Sequence, residues 1–374
     1  MNEVASTKRC LNDSNKWASS FTLRTFGFGD GKHCFLLFAF GLINKHFVHI
    51  TSTSFSAFTR LRRFGKASSK SLKRSKEPYE AVAMGILQTK QSRLYFEDSA
   101  SEYGTDLDKP AVLFINGWAM SARYWSPLAE RLAPHFRIIR LDQSGTGRTT
   151  LTTSTPLFTI ESFANEVSAL IEHLRLPQFH LVGHSMGSMV TAELAHRYQT
   201  QTLSTTIIAC GIFTYSAVQM AILSAFIRST MNLKFLFHLD FFKRAFVQKA
   251  TSRPIPKEYE KLLVDDFLNT DAEAAEKVGT FSLNPDILRQ YRRQVVSIPS
   301  PLLLCVGTAD KTIPPEGMTT LYETRLAEHP DLPTRFVQFE SVGHLPMLEA
   351  TDEFASILST HFTDAQNLVA AASV

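Results

Sequence analysis

The sequence feature that most constrains the fold of this chain is a serine between two glycines, in the motif Gly-His-Ser-Met-Gly at residues 183–187. The apolar run Phe179–Val182 precedes the motif and is predicted to be a buried strand, and the apolar side chains of residues 189–195 recur at helical spacing. A serine on such a tight strand-to-helix turn has a strained backbone, and the positions two residues before and after it must be glycine because a Cβ there would collide with the adjacent strand or helix. We therefore predict that Ser185 is a nucleophile raised above the edge of a sheet.

A serine hydroxyl is a weak nucleophile, so it needs a base beside it and an acid that orients the base. Asp310 follows the predicted strand Leu302–Val306, and His344 follows a strand that ends at Phe339. Taken alone, the aspartate is better explained as a turn former than as a catalytic residue, and the histidine is one of twelve. Their joint placement, in the chain order Ser, Asp, His and each directly after a strand, favours a catalytic triad.

Two backbone N–H groups are candidates for binding the oxygen of a tetrahedral intermediate. The N–H of Met186 lies at the start of the helix that follows the serine, where it has no partner within the helix. The second donor is expected from the loop after the strand Ala111–Ile115, where Gly117 allows the backbone to turn and Trp118 supplies the N–H.

These motifs together resemble those of the α/β-hydrolase superfamily, in its lid-bearing, serine-nucleophile esterase and lipase-like branch. The resemblance covers residues 84–362. It rests on the segments Asn116-Gly117-Trp118, Asp142–Gly147, Gly183–Gly187, Gly307–Asp310 and Gly343-His344 followed by Pro346. It implies an α/β fold with a mostly parallel central sheet, helices on both faces and a helical lid inserted after the sixth strand.

The resemblance also implies hydrolysis of a carboxylic ester, or a related acyl bond, of a small apolar substrate through an acyl-enzyme intermediate. No cofactor and no metal are expected. One departure is Asn116, since most relatives have histidine before the glycine of this loop, where it often braces the loop. The exchange is similar to that in some depolymerase-like and lactonase-like relatives.

The alternation of strands and helices defines the expected organisation. A hairpin is predicted at residues 86–96, and strand–helix units follow. Residues 213–293 are instead helical in character and rich in phenylalanine, which predicts a lid over the carboxyl edge of the sheet. The core is assigned to residues 84–212 and 294–362, and residues 363–374 are predicted to be a frayed tail. The two glycines within residues 142–148 predict a turn rather than a nucleotide site, because the third glycine and following helix of that fingerprint are missing.

The basic charge of the chain is concentrated in residues 1–83, which carry 14 Lys and Arg against 5 Asp and Glu. The remaining residues carry 25 against 30, so nothing indicates that they bind nucleic acid. Three interpretations of the basic arm stay open: an organelle-targeting segment, an arm that touches a membrane surface, or a segment absent from a mature protein that begins at Met84. A cytoplasmic location is expected, or an organelle if the arm is a transit segment. Cys210 and Cys305 are predicted to be small buried hydrophobes.

The residue type at the nucleophile position distinguishes among other functions of the same fold. Haloalkane dehalogenases and epoxide hydrolases use aspartate at this position, so Ser185 argues against both. Cofactor-free haloperoxidase-like and carbon–carbon-bond hydrolases keep the serine and stay open. A non-catalytic binding module is the alternative of a different class, and loss of a triad residue would be its signature. The expected partner is a small-molecule ester or acyl compound.

Overall fold

The structure of this chain is a computed structural model that describes residues 83–100, 107–212 and 216–372. The predicted basic arm, apart from its last residue, lies outside the described residues. So do Cys10 and Cys34.

A mixed sheet organises the described chain. Its strands are β1 (Ala83–Gln88), β2 (Ser92–Asp98), β3 (Ala111–Ile115), β4 (Arg137–Leu141), β5 (Thr150–Leu151), β6 (Phe179–His184), β7 (Thr202–Ile208), β8 (Leu302–Gly307) and β9 (Thr334–Phe339). The order across the sheet is β1-β2-β4-β3-β6-β7-β8-β9, and β5 pairs with β2. β1, β2 and β5 are antiparallel to their neighbours, whereas all pairs from β4 to β9 are parallel. The predicted hairpin and the mostly parallel sheet are confirmed.

The central strands are apolar because both faces of the sheet are covered. Side chains alternate between the faces, so Leu113 and Ile115 of β3 pack into one hydrophobic core while Val112 and Phe114 pack into the other. All four are fully buried. The two cores hold the helices to the sheet.

Helices follow most of the strands. The α-helices are α1 (Ser126–Leu132), α2 (Ile160–His173), α3 (Met186–Arg197), α4 (Ala217–Asn232), α5 (Asp240–Ala250), α6 (Lys257–Asn269), α7 (Ala272–Phe281), α8 (Pro285–Val296), α9 (Glu316–Glu328), α10 (Pro346–Glu349) and α11 (Thr351–Ala372). Two 3₁₀ segments span Ala122–Trp125 and Lys234–His238. Core residues from α2, α3 and α8 pack on one face of the sheet, and those from α1 and α11 pack on the other. These two layers complete the α/β-hydrolase fold expected from the sequence.

The helix α2 shows why the local sequence is predictive. Its N-cap Thr159 accepts a hydrogen bond from the backbone N–H of Ser162, and the serine hydroxyl accepts one from the backbone N–H of Thr159. Phe163, Val167 and Leu170 share one face of this helix and are buried. The cap and the apolar face both depend on residues that lie close together in the sequence.

Two expectations need correction. The insertion follows the seventh strand rather than the sixth, because residues 150–151 form the additional strand β5 against β2. A two-residue strand is too short for a side-chain period to reveal it. The helix α11 continues through residues 363–372, where a tail is predicted. Its buried face extends from Leu358 and Phe362 to Ala365, which anchors one further turn.

Five α-helices, α4 to α8, lie between β7 and β8 in the described chain, and we call residues 216–296 the insertion. None of the described helices combines the length and the apolar character needed to cross a membrane. Cys210 and Cys305 are both buried free thiols, as predicted.

Candidate active site

The backbone turn at Ser185 has the strained geometry that the motif predicts. Its φ of 52° and ψ of −126° lie in a backbone region that residues with a side chain rarely adopt. A Cβ at Gly187 would come within 2.3 Å of the carbonyl oxygen of Asn116, and one at Gly183 within 2.2 Å of Oγ1 of Thr191. Neither flanking position has room for a larger residue, so the turn between β6 and α3 depends on both glycines.

Asp310 and His344 are joined by a hydrogen bond. Nδ1 of His344 lies 2.7 Å from Oδ2 of Asp310. The other carboxylate oxygen accepts hydrogen bonds from the backbone N–H groups of Thr312 at 2.7 Å and Ile313 at 3.0 Å. Burial alone would raise the pKa of Asp310, but the histidine and the two N–H groups more than offset this and hold the pKa below its usual value. The carboxylate is therefore fixed in orientation and charged at neutral pH.

The imidazole of His344 lies beside the serine turn. Its ring centroid is 4.7 Å from that of His184, the residue directly before Ser185. Among the described residues, no hydrogen bond joins the Ser185 hydroxyl to the His344 ring. Such bonds are often long in a site without substrate and tighten when substrate binds. The structure thus joins Asp310 and His344 by a hydrogen bond and places the turn that carries Ser185 beside His344.

The loop that carries the predicted oxyanion donor lies directly against the serine turn. A Cβ at Gly117 would come within 2.8 Å of Nδ1 of His184 and 3.4 Å of Cβ of Ser185. Met186 is the first residue of α3, so its N–H has no acceptor within the helix. The N–H of Trp118 follows directly after the close approach at Gly117. Both predicted donors are therefore within the same cluster of loops as Ser185.

The side chain of Asn116 braces this loop. It is fully buried, and its amide donates to the carbonyl of Leu141 at 2.7 Å. Its side-chain oxygen, Oδ1, accepts a hydrogen bond from Nε1 of Trp125 at 2.9 Å. These hydrogen bonds tie the start of the loop to β4 and to the 3₁₀ segment that carries Trp125.

A chain of hydrogen bonds links the Gly117 loop to the backbone of His344. The N–H of Gly117 donates to the Tyr124 hydroxyl at 3.1 Å, and that hydroxyl lies 3.2 Å from Nδ1 of His184. Nε2 of His184 lies 2.9 Å from the carbonyl oxygen of His344. Since a carbonyl only accepts, Nε2 carries the proton and Nδ1 accepts from Tyr124.

Burial fixes the protonation states in this chain of hydrogen bonds. It lowers the pKa of His184 from 6.5 to about 3, with a further contribution from His344, so the ring is neutral. Burial also raises the pKa of Tyr124 well above its usual value, so the hydroxyl keeps the proton that it donates. Neutral groups therefore connect the Gly117 loop to the loop that carries His344.

One carboxylate holds the His344 loop on its other side. Glu349 accepts hydrogen bonds from the backbone N–H groups of Gly343 at 2.9 Å and Leu345 at 3.1 Å. It also accepts from the N–H groups of Ser252 at 2.7 Å and Arg253 at 2.8 Å, which follow α5 of the insertion. A single buried side chain thus connects the insertion with the loop that carries the imidazole.

The insertion is also bonded to the loop after β3. Asp266 of α6 accepts from the N–H of Ser121 at 2.8 Å and from its hydroxyl at 2.6 Å, and it pairs with Arg123 at 2.5 Å. Burial raises the pKa of Asp266, although these partners oppose the shift. Nε1 of Trp118 donates to the carbonyl of Ala275 in α7 at 2.8 Å.

A narrow cleft lies between the core loops and the insertion. The core loops contribute Gly117, Trp118, Gln143, Ser144, Thr146 and Met186, among others, and the insertion contributes Thr270, Ala274, Ala275 and Val278. The cleft therefore contains both residues whose N–H groups are the predicted oxyanion donors.

The phenylalanines of the insertion pack mainly on one another. The ring of Phe267 lies 4.8 Å from that of Phe237 and 4.9 Å from that of Phe246, measured between centroids. It also meets the Trp118 ring edge-on at 6.0 Å. The contact with Trp118 joins this cluster to the core, whereas Phe235 is 60% exposed.

The sequence analysis missed Tyr124 and Gln143 as functional candidates, together with Asp266 and Glu349. Gln143 lies within the segment Asp142–Gly147 but was not singled out there, and the other three carry no motif. His184 lies inside the serine motif, so its position was the available signal. In the described part of the chain, no group of three or more His, Cys, Asp or Glu side chains is arranged to hold a metal ion.

Comparisons with known proteins agree with this architecture. A family model described as the alpha/beta hydrolase family matches residues 112–357. A protein of Agrobacterium fabrum with the provisional name carbamate hydrolase RutD is 37% identical over 93 residues, which is 25% of this chain and 35% of that protein. The chain therefore matches only about a third of the length of that relative.

Two further comparisons extend over most of the chain. A proline iminopeptidase of Lactobacillus helveticus is 23% identical over 302 residues, covering 74% of this chain and 97% of that protein. The solved structure of an esterase from Exiguobacterium antarcticum superposes with a TM-score of 0.62 at 16% identity, covering 75% of this chain and all of the esterase. At this identity the structural likeness establishes the fold alone.

Proposed function

Because this chain belongs to the alpha/beta hydrolase family, we propose that it is a serine hydrolase that cleaves a carboxylic ester, or a related acyl bond, of a small apolar substrate. Ser185 is the nucleophile, His344 is the general base and Asp310 orients the base. The observation that carries the proposal is the Asp310–His344 hydrogen bond of 2.7 Å, held next to the strained serine turn.

Each group has one task in the proposed reaction. Nε2 of His344 takes the proton of the Ser185 hydroxyl as the oxygen attacks the substrate carbonyl, and it then donates that proton to the leaving alcohol. Asp310 holds Nδ1 protonated, which leaves Nε2 free to accept. The acyl-enzyme is cleaved when His344 activates a water in the same manner.

The N–H groups of Trp118 and Met186 are proposed to bind the oxygen that becomes negative in the tetrahedral intermediate. Loss of one such donor typically costs about 3 kcal/mol of transition-state stabilisation. Proper alignment of these donors depends on the Gly117 loop. The braces at Asn116 and Tyr124 therefore support the reaction although neither residue touches the reacting atoms.

The insertion is proposed to act as a lid. Its residues Thr270, Ala274 and Val278 line the cleft that contains the oxyanion donors. An apolar acyl group placed in the cleft meets Ala274 and Val278 on one side and Phe163 on the other, which suits a small apolar substrate.

Labelling with a fluorophosphonate probe tests the nucleophile. We expect wild-type protein to be labelled at Ser185 and to hydrolyse p-nitrophenyl esters, whereas Ser185→Ala is neither labelled nor active yet unfolds at the same temperature. Ser188→Ala is a matched control, since its hydroxyl is buried and bonded to the carbonyl of Gly183 at 2.8 Å. A wild-type protein that does not label in buffer at pH 8 would favour a non-catalytic binding module.

A further inference from the structure

The side chain of Gln143 is a buried amide without a partner. It is 2% exposed, and neither Nε2 nor Oε1 has a hydrogen-bond partner among the described residues. Burial of an amide is costly unless its donor and acceptor are both paired. Gln143 also lines the cleft that contains Trp118 and Met186. A molecule that enters the cleft can therefore supply the missing partners.

The other polar side chains of the cleft already have partners for their donors. The Ser144 hydroxyl donates to Glu166 at 2.5 Å, and the Thr146 hydroxyl donates to the backbone carbonyl of Gln143 at 2.8 Å. The Thr270 hydroxyl donates to the carbonyl of Asp266 at 2.7 Å. Within the described lining, Gln143 is therefore the side chain whose hydrogen-bonding capacity is unused.

We propose that Gln143 is a specificity-determining residue that binds an amide group in the acyl chain of the substrate. This proposal rests on the proposed ester hydrolysis. An amide offers one N–H donor and one carbonyl acceptor, which match the acceptor Oε1 and the donor Nε2 of Gln143. The remaining lining near it, with Phe163 and Val278, is apolar and accommodates the methyl and methylene groups on either side.

Three matched p-nitrophenyl esters separate the two hydrogen bonds. N-acetylglycyl, 4-oxopentanoyl and pentanoyl esters have acyl chains of equal length that carry, respectively, a full amide, a carbonyl alone and neither group. N-acetyl-β-alanyl and hexanoyl esters repeat the comparison with the amide one methylene farther from the scissile carbonyl. Each kcat/KM is divided by the rate constant for alkaline hydrolysis of the same ester, which removes differences in intrinsic reactivity.

We expect wild-type protein to prefer the amide ester over its alkyl counterpart by about tenfold in at least one of the two lengths, which corresponds to two hydrogen bonds of ordinary net strength. The carbonyl-only ester is expected to lie between them. Gln143→Met, of similar length and without polar atoms, should abolish this preference, so that the ratio of kcat/KM for the amide ester to that for its alkyl counterpart falls about tenfold. Gln143→Leu repeats the test if the methionine variant is unstable.

The outcomes distinguish this inference from the proposed function. Equal normalised rates for amide and alkyl esters in wild-type protein overturn the role of Gln143 but leave ester hydrolysis in place. A preference that persists in Gln143→Met, or an equal loss on every ester, overturns it as well. If wild-type protein hydrolyses none of the five esters, both the proposed function and the inference that rests on it fail.

Discussion

Mild acid is expected to destabilise this protein, because three buried histidines are neutral in the folded state. His180, His184 and His361 are each no more than 3% exposed. Burial lowers the pKa from 6.5 to about 3 for His180 and His184 and to about 4 for His361. In the unfolded chain the same rings titrate near 6.5.

The direction and magnitude of the change in unfolding free energy follow from proton linkage. Between pH 6.5 and about 4 the unfolded state binds protons that the folded state excludes, so the free energy of unfolding falls as the pH falls. Each ring contributes about 1.4 kcal/mol per pH unit, hence about 2 kcal/mol at pH 5 and about 6 kcal/mol for all three. Burial raises the pKa of Asp266, so at this residue the folded state binds up to one proton more than the unfolded state, which opposes the loss. A net loss of about 4–6 kcal/mol is comparable with the whole stability of many domains.

Urea unfolding of the full chain, followed by circular dichroism at pH 7.5, 6.5, 5.5 and 5.0, measures this loss. His180→Gln should reduce the slope against pH by about a third, whatever its effect at pH 7.5. His135→Gln is the matched control, because His135 is exposed in the folded protein and its replacement should leave the slope unchanged. The reasoning is refuted if wild-type stability varies by less than about 1 kcal/mol between pH 7.5 and 5.0.

Three further predictions concern the site. Asp310→Asn should lower kcat on p-nitrophenyl esters by about 10⁴-fold, since an amide fixes the wrong imidazole tautomer; near wild-type kcat would contradict its assigned role. Tyr124→Phe leaves the Gly117 N–H and a histidine nitrogen unpaired, so unfolding free energy should fall by about 2 kcal/mol and kcat should fall while KM changes little. An unchanged kcat would show that the Tyr124 hydroxyl does not support the oxyanion loop. Glu349→Gln should cost about 3 kcal/mol of stability, measured by urea unfolding, because an NH₂ group then faces backbone donors; the exposed Glu353→Gln should cost nothing, and equal effects of both changes would argue against the bracing role.

Local patterns were sufficient to predict most of the sheet and the strained turn at Ser185. The continuous apolar run of β3, the cap at Thr159 and the glycines around Ser185 each act within a few residues, so the sequence displays them directly. The bracing contacts were not accessible in this way. Asp266 bonds to Ser121 from 145 residues farther along the chain, and His184 bonds to His344 across 160 residues. Such pairs have no fixed spacing, and only the folded chain brings them together.

The contacts between the insertion and the core limit how this scaffold can be re-engineered. Helices inserted in a hydrolase are attractive units for exchange between homologues, since they line the cleft. Here the backbone of His344 itself donates to the carbonyl of Ala250, the last residue of α5. A graft that replaces the insertion removes that acceptor, together with the partners of Ser121 and Glu349. A chimera therefore has to retain at least residues 250–275 from the parent.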